Sequence, residues 1–195
     1  MAESDVSKYR MVVIGGSAGS LDVILRIVSE ARQLTHVAFV IIVHRSKSAD
    51  SILADLLSTQ TPLLVKEVED KESIMPGIVY IAPPDYHLLL ENERTFSLDA
   101  SEKINYSRPS IDVTFESAAD IFGPALVGIV LSGANADGAL GLSAIAAAGG
   151  YTIVQEPVTA EVDFMPRQAI NMTRVDAILE GEEIGGFLEV LLKKA

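Results

Sequence analysis

The chain has 195 residues, 49% of them hydrophobic and 22% charged, a composition that suits one globular domain with a sizeable core. A net charge of −12 offers no basic footprint for a nucleic-acid backbone and disfavours anionic membrane surfaces. The absence of cysteine removes disulfides, thiolate zinc sites and a cysteine nucleophile, and it fits a reducing compartment.

The start, MAESDVSKYR, is polar and mixed in charge, and no apolar run reaches the roughly 18 residues that span a bilayer. The sequence therefore reads as cytoplasmic, without membrane insertion. In chain order, short apolar runs rich in β-branched residues predict buried strands at 11–14 (MVVI), 37–43 (VAFVIIV), 63–68 (LLVKEV), 78–82 (IVYIA), 126–131 (LVGIVL) and 151–155 (YTIVQ). Helical patterns occupy 20–33, 49–59, 110–122 and 137–148, with further helices at 165–172 and 183–194. The last of these, in GEEIGGFLEVLLKKA, carries an apolar stripe expected to pack on the sheet. Segment 86–99 (YHLLLENERTFSLD) breaks the alternation and predicts an antiparallel hairpin. The expected fold is α/β and doubly wound: a mostly parallel sheet, helices on both faces and one short antiparallel hairpin, in a single domain over 1–195.

In such a sheet, function gathers outside the carboxyl ends of the strands. Ser17 follows the first strand in IGGSAGS, His44 closes the second in VAFVIIVH, and Asp137 lies in LSGANADG after LVGIVL. The glycine-rich loop admits two jobs, cradling a nucleotide phosphate or presenting a serine. A dinucleotide fingerprint needs Gly-x-Gly-x-x-Gly and an acidic residue ending the second strand; here the glycines are Gly15, Gly16 and Gly19, and that strand ends in His44-Arg45. The P-loop pattern fails too, for want of Gly-Lys-Ser/Thr. Gly-Gly-Ser-Ala-Gly instead fits the Gly-x-Ser-x-Gly elbow, whose small residues permit a sharp strand-to-helix turn exposing the hydroxyl. The structural alternative is that Ser17 or, more naturally, Ser20 caps the following helix.

A serine hydroxyl is a poor nucleophile until a base takes its proton, and the base needs an acid to orient it. Of the three histidines, His36 precedes a strand and so lies at the opposite end of the sheet, and His87 starts the hairpin, where a surface or packing role suffices. His44 ends the strand expected beside the first, at the level of Ser17. Asp137 has a capping reading of its own, at the helix beginning near Gly138-Ala139-Leu140, which does not exclude catalysis. The order Ser, His, Asp differs from the familiar triad arrangements. The loop Gly133–Gly138 offers backbone N–H groups suited to one wall of an oxyanion site.

Six blocks in sequence, IGGSAGS, IVHRS, MPGIVYIAPPDYHLLL, SRPSIDVTFESAA, VGIVLSGANADGALGLSAIAAAGGYTIVQEP and MPRQAI, resemble the catalytic domain of chemotaxis protein-glutamate methylesterases, the CheB family, from about Met11 to Met172. The resemblance implies hydrolysis of γ-glutamyl methyl esters on the cytoplasmic helical region of chemoreceptors, with release of methanol, and deamidation of glutamines by some members. It places the nucleophile at Ser17, the histidine at His44 and the aspartate at Asp137. The Arg-Pro-Ser block falls on Arg108-Pro109-Ser110, where Arg108 would line the cleft and Ser110 would open a helix. Three departures stand out. The usual Ser-Thr-Gly-Gly is Ser17-Ala18-Gly19-Ser20 here, and Thr-Gly-Met-Gly-Asn-Asp-Gly is Ser132-Gly133-Ala134-Asn135-Ala136-Asp137-Gly138. Arg45-Ser46 replaces Met-Pro after the histidine.

The expectation is a serine hydrolase in which Ser17 attacks, His44 serves as base and then acid, and Asp137 orients the histidine. Backbone N–H groups near Ala18 or Ala134 would hold the oxyanion, and no metal or organic cofactor is needed. Its partner would be a methylated chemoreceptor or another helical signalling protein, with Arg45, Arg108 and Arg167 offsetting repulsion between two acidic molecules. Classical members carry an N-terminal receiver domain, whereas the first strand here begins about ten residues from Met1, so control by a trans-acting regulator, or constitutive activity, is expected. The rival readings are a non-catalytic module that binds signalling partners, for which Ala18, Ala134 and Ala136 speak, an esterase with another substrate, and a nucleotide-binding protein.

Overall fold

The structure, a computed structural model, describes residues 8–44, 50–92 and 94–193. The strands β1 (Met11–Gly16) and β2 (Ala38–Val43) are apolar throughout and almost wholly buried, as strands covered on both faces must be. They lie near the middle of a seven-stranded parallel sheet with β3 (Leu64–Glu67), β4 (Ile78–Ile81), β7 (Leu126–Val130), β8 (Tyr151–Gln155) and β9 (Ala177–Leu179), in the order β3-β4-β2-β1-β7-β8-β9. A separate antiparallel pair, β5 (His87–Leu90) and β6 (Phe96–Asp99), pairs His87 with Asp99 and Leu90 with Phe96.

Alternation along the strands divides the core. Val12, Ile14, Phe39 and Ile41 face one side, where helices α1 (Leu21–Glu30), α2 (Asp50–Ser58) and α6 (Ile184–Lys193) cover them with Ile24, Ile27, Leu57, Leu188 and Leu192. Met11, Val13, Val40 and Ile42 face the other, against Ile111 and Phe115 of α3 (Ile111–Phe122), Leu142 and Ile145 of α4 (Ala139–Ala147), Met165 of α5 (Phe164–Met172) and the hairpin residues Leu88 and Phe96. The doubly wound α/β arrangement, the hairpin and the docking of the C-terminal helix agree with the sequence. Among the described residues no helix is long and apolar enough to cross a membrane.

Strand order reverses at β1, which pairs with β2 on one side and β7 on the other. At such a switch point the loops leaving neighbouring carboxyl ends diverge and open a crevice. The edge strand β9 escapes sequence analysis because three half-exposed residues give too short a pattern. The helix expected from 137 begins at Ala139, with Gly138 in its N-cap position at φ 98°.

Candidate active site

The crevice at β1 gathers the residues that end the neighbouring strands. The β1–β2 ladder runs out at Gly16 and Val43, and the His44 N–H still reaches the Gly16 carbonyl at 3.4 Å, so Ser17 and His44 stand side by side where the two strands stop. On the other flank the Ser17 N–H donates to the Ser132 carbonyl, 2.9 Å away, just past β7. The turn after Ser17 closes when the Ser20 N–H and hydroxyl both donate to the Ser17 carbonyl, at 3.1 and 2.7 Å. Ser20 sits at the N-cap position of α1 without capping it by its side chain. The alternative reading of Ser20 as a side-chain cap is not found: the residue is already in the right-handed helical region and its hydroxyl turns back to the Ser17 carbonyl. Gly19, at φ 76°, must remain glycine, since a Cβ there would lie 2.5 Å from the Glu161 Cβ.

His44 and Asp137 meet directly, with His44 Nε2 2.7 Å from Asp137 Oδ2. The carboxylate is fully buried, and its remaining capacity is taken by the N-terminus of α3. Oδ2 also accepts the Ile111 N–H at 2.7 Å, while Oδ1 accepts the Ser110 hydroxyl at 2.9 Å and the Asp112 N–H at 3.0 Å. Burial by itself drives this carboxyl up, but the bonds from His44, Asp112 and Ile111 outweigh it and hold Asp137 below the ordinary aspartate value, ionised and ready to orient an imidazole. Asp137 is thus a cap, though not of the helix it precedes: it caps α3, and the N–H groups of Gly138, which precedes α4, and Gly141, within it, go to Asp112. With Nε2 facing Asp137, the nitrogen of His44 left for Ser17 is Nδ1. The Ser17 hydroxyl itself forms no hydrogen bond with a described residue.

Other expected residues fall as follows. Ala18 and Ala134 are exposed on the two loops that border Ser17, and their N–H groups donate to no described residue. Arg108 is half-buried and its guanidinium donates to the Ala100 and Ser101 carbonyls at 2.9 and 2.7 Å. Ser110 does open α3, accepting the Val113 N–H, as its place after Pro109 suggested. Arg167 pairs with Asp163 at 2.6 Å, and Arg45 lies outside the described residues. His36 bonds the Leu192 carbonyl at 3.1 Å, away from the crevice. His87 is buried as a packing residue: Nδ1 accepts the Ser110 N–H at 3.1 Å and Nε2 lies 2.9 Å from the Glu102 carbonyl. Among the described residues no cluster of His, Asp and Glu could hold a metal ion.

Two supports went unnoticed in the sequence. The Ser132 hydroxyl donates to the Ala18 carbonyl at 2.7 Å and accepts the Val162 N–H at 2.9 Å, and the Ser132 N–H reaches Gln155 Oε1 at 3.0 Å. The Ser17 loop is thereby tied to β7 and β8 by side chains whose only sequence signal is a polar residue ending an apolar strand. An apolar cavity of about 230 Å³ adjoins Ser17, between Leu21 and Ile24 of α1, Val43, and Ile52 and Leu53 of α2.

Known proteins resemble this chain in sequence and in fold. A protein of Leptospira interrogans, provisionally named protein-glutamate methylesterase/protein-glutamine glutaminase, is 43% identical over 176 residues, covering 90% of this chain and 91% of its own length. The protein-glutamate methylesterase FrzG of Myxococcus xanthus is 35% identical over 92% of this chain, which spans 54% of that longer protein. The crystal structure of the Thermotoga maritima CheB methylesterase catalytic domain superposes with a TM-score of 0.89 at 33% identity, covering 94% of this chain and 98% of that one. With the sequence model of CheB methylesterases matching residues 12–188 as well, the chain belongs to the CheB methylesterase family.

Proposed function

We propose that the protein is a protein-glutamate methylesterase working through a Ser17–His44–Asp137 triad, with methylated glutamates of a chemoreceptor's cytoplasmic helical region as its substrate. The observation that carries this reading is the 2.7 Å bond between His44 and a buried, multiply bonded Asp137, one strand from Ser17. Ser17 Oγ attacks the ester carbonyl while His44 Nδ1 takes the hydroxyl proton. The imidazolium is stabilised by Asp137 across Nε2 and passes its proton to the departing methanol. Water then enters by the same route in reverse, releasing glutamate and restoring Ser17. The unused N–H groups of Ala18 and Ala134 serve the developing oxyanion; because they are backbone donors, alanine at these positions costs nothing in principle. Glutamine deamidation follows the same path with ammonia as the leaving group. The open crevice suits a folded helical substrate, and the reading places the enzyme in the cytoplasm.

The test is methanol release from methyl-esterified chemoreceptor membranes by wild type and Ser17→Ala. Release that disappears in the variant is expected. No release from folded wild type rejects the reading in favour of a partner-binding module or another ester substrate, and fluorophosphonate labelling of Ser17 separates those two.

A further inference from the structure

Behind the His44–Asp137 pair lies a second carboxylate that the ester chemistry does not consume. Asp112, in the first turn of α3, is 5% exposed. Its Oδ1 accepts the N–H groups of Gly138 at 2.8 Å and Gly141 at 2.7 Å, where α4 begins. Asp137, on the segment entering α4, accepts the N–H groups of Ile111 and Asp112, where α3 begins. Each helix therefore receives its capping carboxylate from the other, and the two acids are joined through the Asp112 N–H, 3.0 Å from Asp137 Oδ1. The charged groups bearing on Asp112 are Asp137, from the segment between β7 and α4, and Glu116, one turn along α3; both are negative. A neutral asparagine or serine caps a helix about as well as aspartate. A buried negative charge kept beside two others points to a use beyond capping.

We propose that Asp112 is a positioning residue for the esterase: it anchors the start of α4, so fixing the backbone that carries Asp137, and its charge biases proton transfer at His44 through that carboxylate. This rests on the esterase reading of Ser17 and His44. Protonation of Asp112 would weaken the anchor and remove the charge together, which its burial and the neighbouring Asp137 favour by pushing its carboxyl up to about 6.

The experiment compares wild type, Asp112→Asn and Asp112→Ala. Asparagine keeps the shape and an amide oxygen for the two N–H groups but loses the charge, and alanine loses both. Readouts are kcat and KM for ester hydrolysis, the pH profile of kcat/KM, and the pH profile of Ser17 labelling by a fluorophosphonate. In Asp112→Asn the acid limb of both profiles should move down by about 0.5 to 1 pH unit with KM within about twofold, because a negative charge that favours the imidazolium is gone. In Asp112→Ala, kcat should fall about tenfold or more at nearly constant KM. Acid limbs at the wild-type position in a folded Asp112→Asn protein overturn the proposal, even where kcat falls, because a purely structural residue would leave them there. Should Asp112→Ala fail to fold, Asp112→Asn still decides. Should wild type label at Ser17 but release no methanol, the substrate assignment fails alone and the labelling profiles still decide. A wild-type Ser17 that does not label overturns both.

Discussion

At the scale of single residues, the polar atoms around Asp137 are committed to fixed partners. Asp137 has four donors on two oxygens, so its carboxylate has one position and one charge state to offer His44. Asp137→Asn would put an amide NH₂ against at least one of those donors and reverse the preferred imidazole tautomer; kcat should fall by about 10³ to 10⁴ with KM little changed, as steady-state hydrolysis of the methyl ester will show. Ser132 offers a subtler case, for its hydroxyl is the strut between the Ala18 carbonyl and the Val162 N–H. Ser132→Ala should cost about tenfold in kcat, and Ser132→Thr, which keeps the hydroxyl, should recover most of it. The placement of Ser17, His44 and Asp137 at one crevice was legible in the sequence because each follows an apolar strand, and strand ends in a parallel sheet share one level. Asp112 and Ser132 were not: a helix-face aspartate and a serine after a strand look like any solvated residue or cap until tertiary structure shows which N–H groups they meet.

At the scale of elements, the reciprocal capping sets how closely α3 and α4 approach. Gly141 has no room for a side chain: an added Cβ would sit 2.5 Å from the Phe115 Cβ, 3.0 Å from the Asp112 Cα and 3.1 Å from its carbonyl oxygen. Two effects oppose each other in Gly141→Ala. Helix propensity favours alanine by about 1 kcal/mol. Against it stands overpacking against Cβ and backbone atoms, which no rotamer change relieves, worth about 1 to 3 kcal/mol. The clash should win, so urea unfolding should show a net loss of about 1 kcal/mol or more, and kcat should fall with it because the helices cannot part without moving Asp137. A variant as stable as wild type would show that α4 slides freely, and that Asp112 is not a tight anchor. Periodicity located both helices, and the apolar stripe of α6 favoured packing on the sheet, where the helix lies, over contact with another chain. It could not register their approach, since a glycine inside an alanine-rich helix has no sequence signature separating close contact from tolerance. The first residue of α4 was misplaced for the same reason: Asp137 looks like its cap only while the N-terminus of α3 is out of view.

At the scale of the molecule, alternating strands and helices implied a parallel sheet with β2 beside β1, yet the rest of its order was not readable, because any permutation buries the same apolar runs. The order brings β2 and β7 to either side of β1, so three residues far apart in sequence come to one crevice. It also buries two carboxylates whose linkage to folding runs in opposite directions. Asp137 titrates below its unfolded value of 3.8, so the stability it supplies is present above that pH and is lost on acidification below it. Asp112 is the reverse: its folded value of about 6 exceeds the unfolded 3.8, so the native state holds the proton that the unfolded chain releases between those limits. Stability from Asp112 is thus full below 3.8 and is lost as pH rises through about 6, a cost on the order of 3 kcal/mol at neutrality. Asp112→Asn carries no titrating group there, and groups not coupled to Asp112 cancel in the difference between the two proteins, leaving its own linkage as the main contribution. Urea unfolding from pH 4.5 to 7.5 should therefore show the variant gaining on wild type by about 1 to 3 kcal/mol as pH rises, with the gain levelling off above pH 7. A difference independent of pH would mean that Asp112 ionises as an ordinary carboxylate and that its charge is held at no cost. A gain in stability accompanied by the shifted acid limb in the activity profile would instead identify a charge kept for catalysis at the expense of the fold.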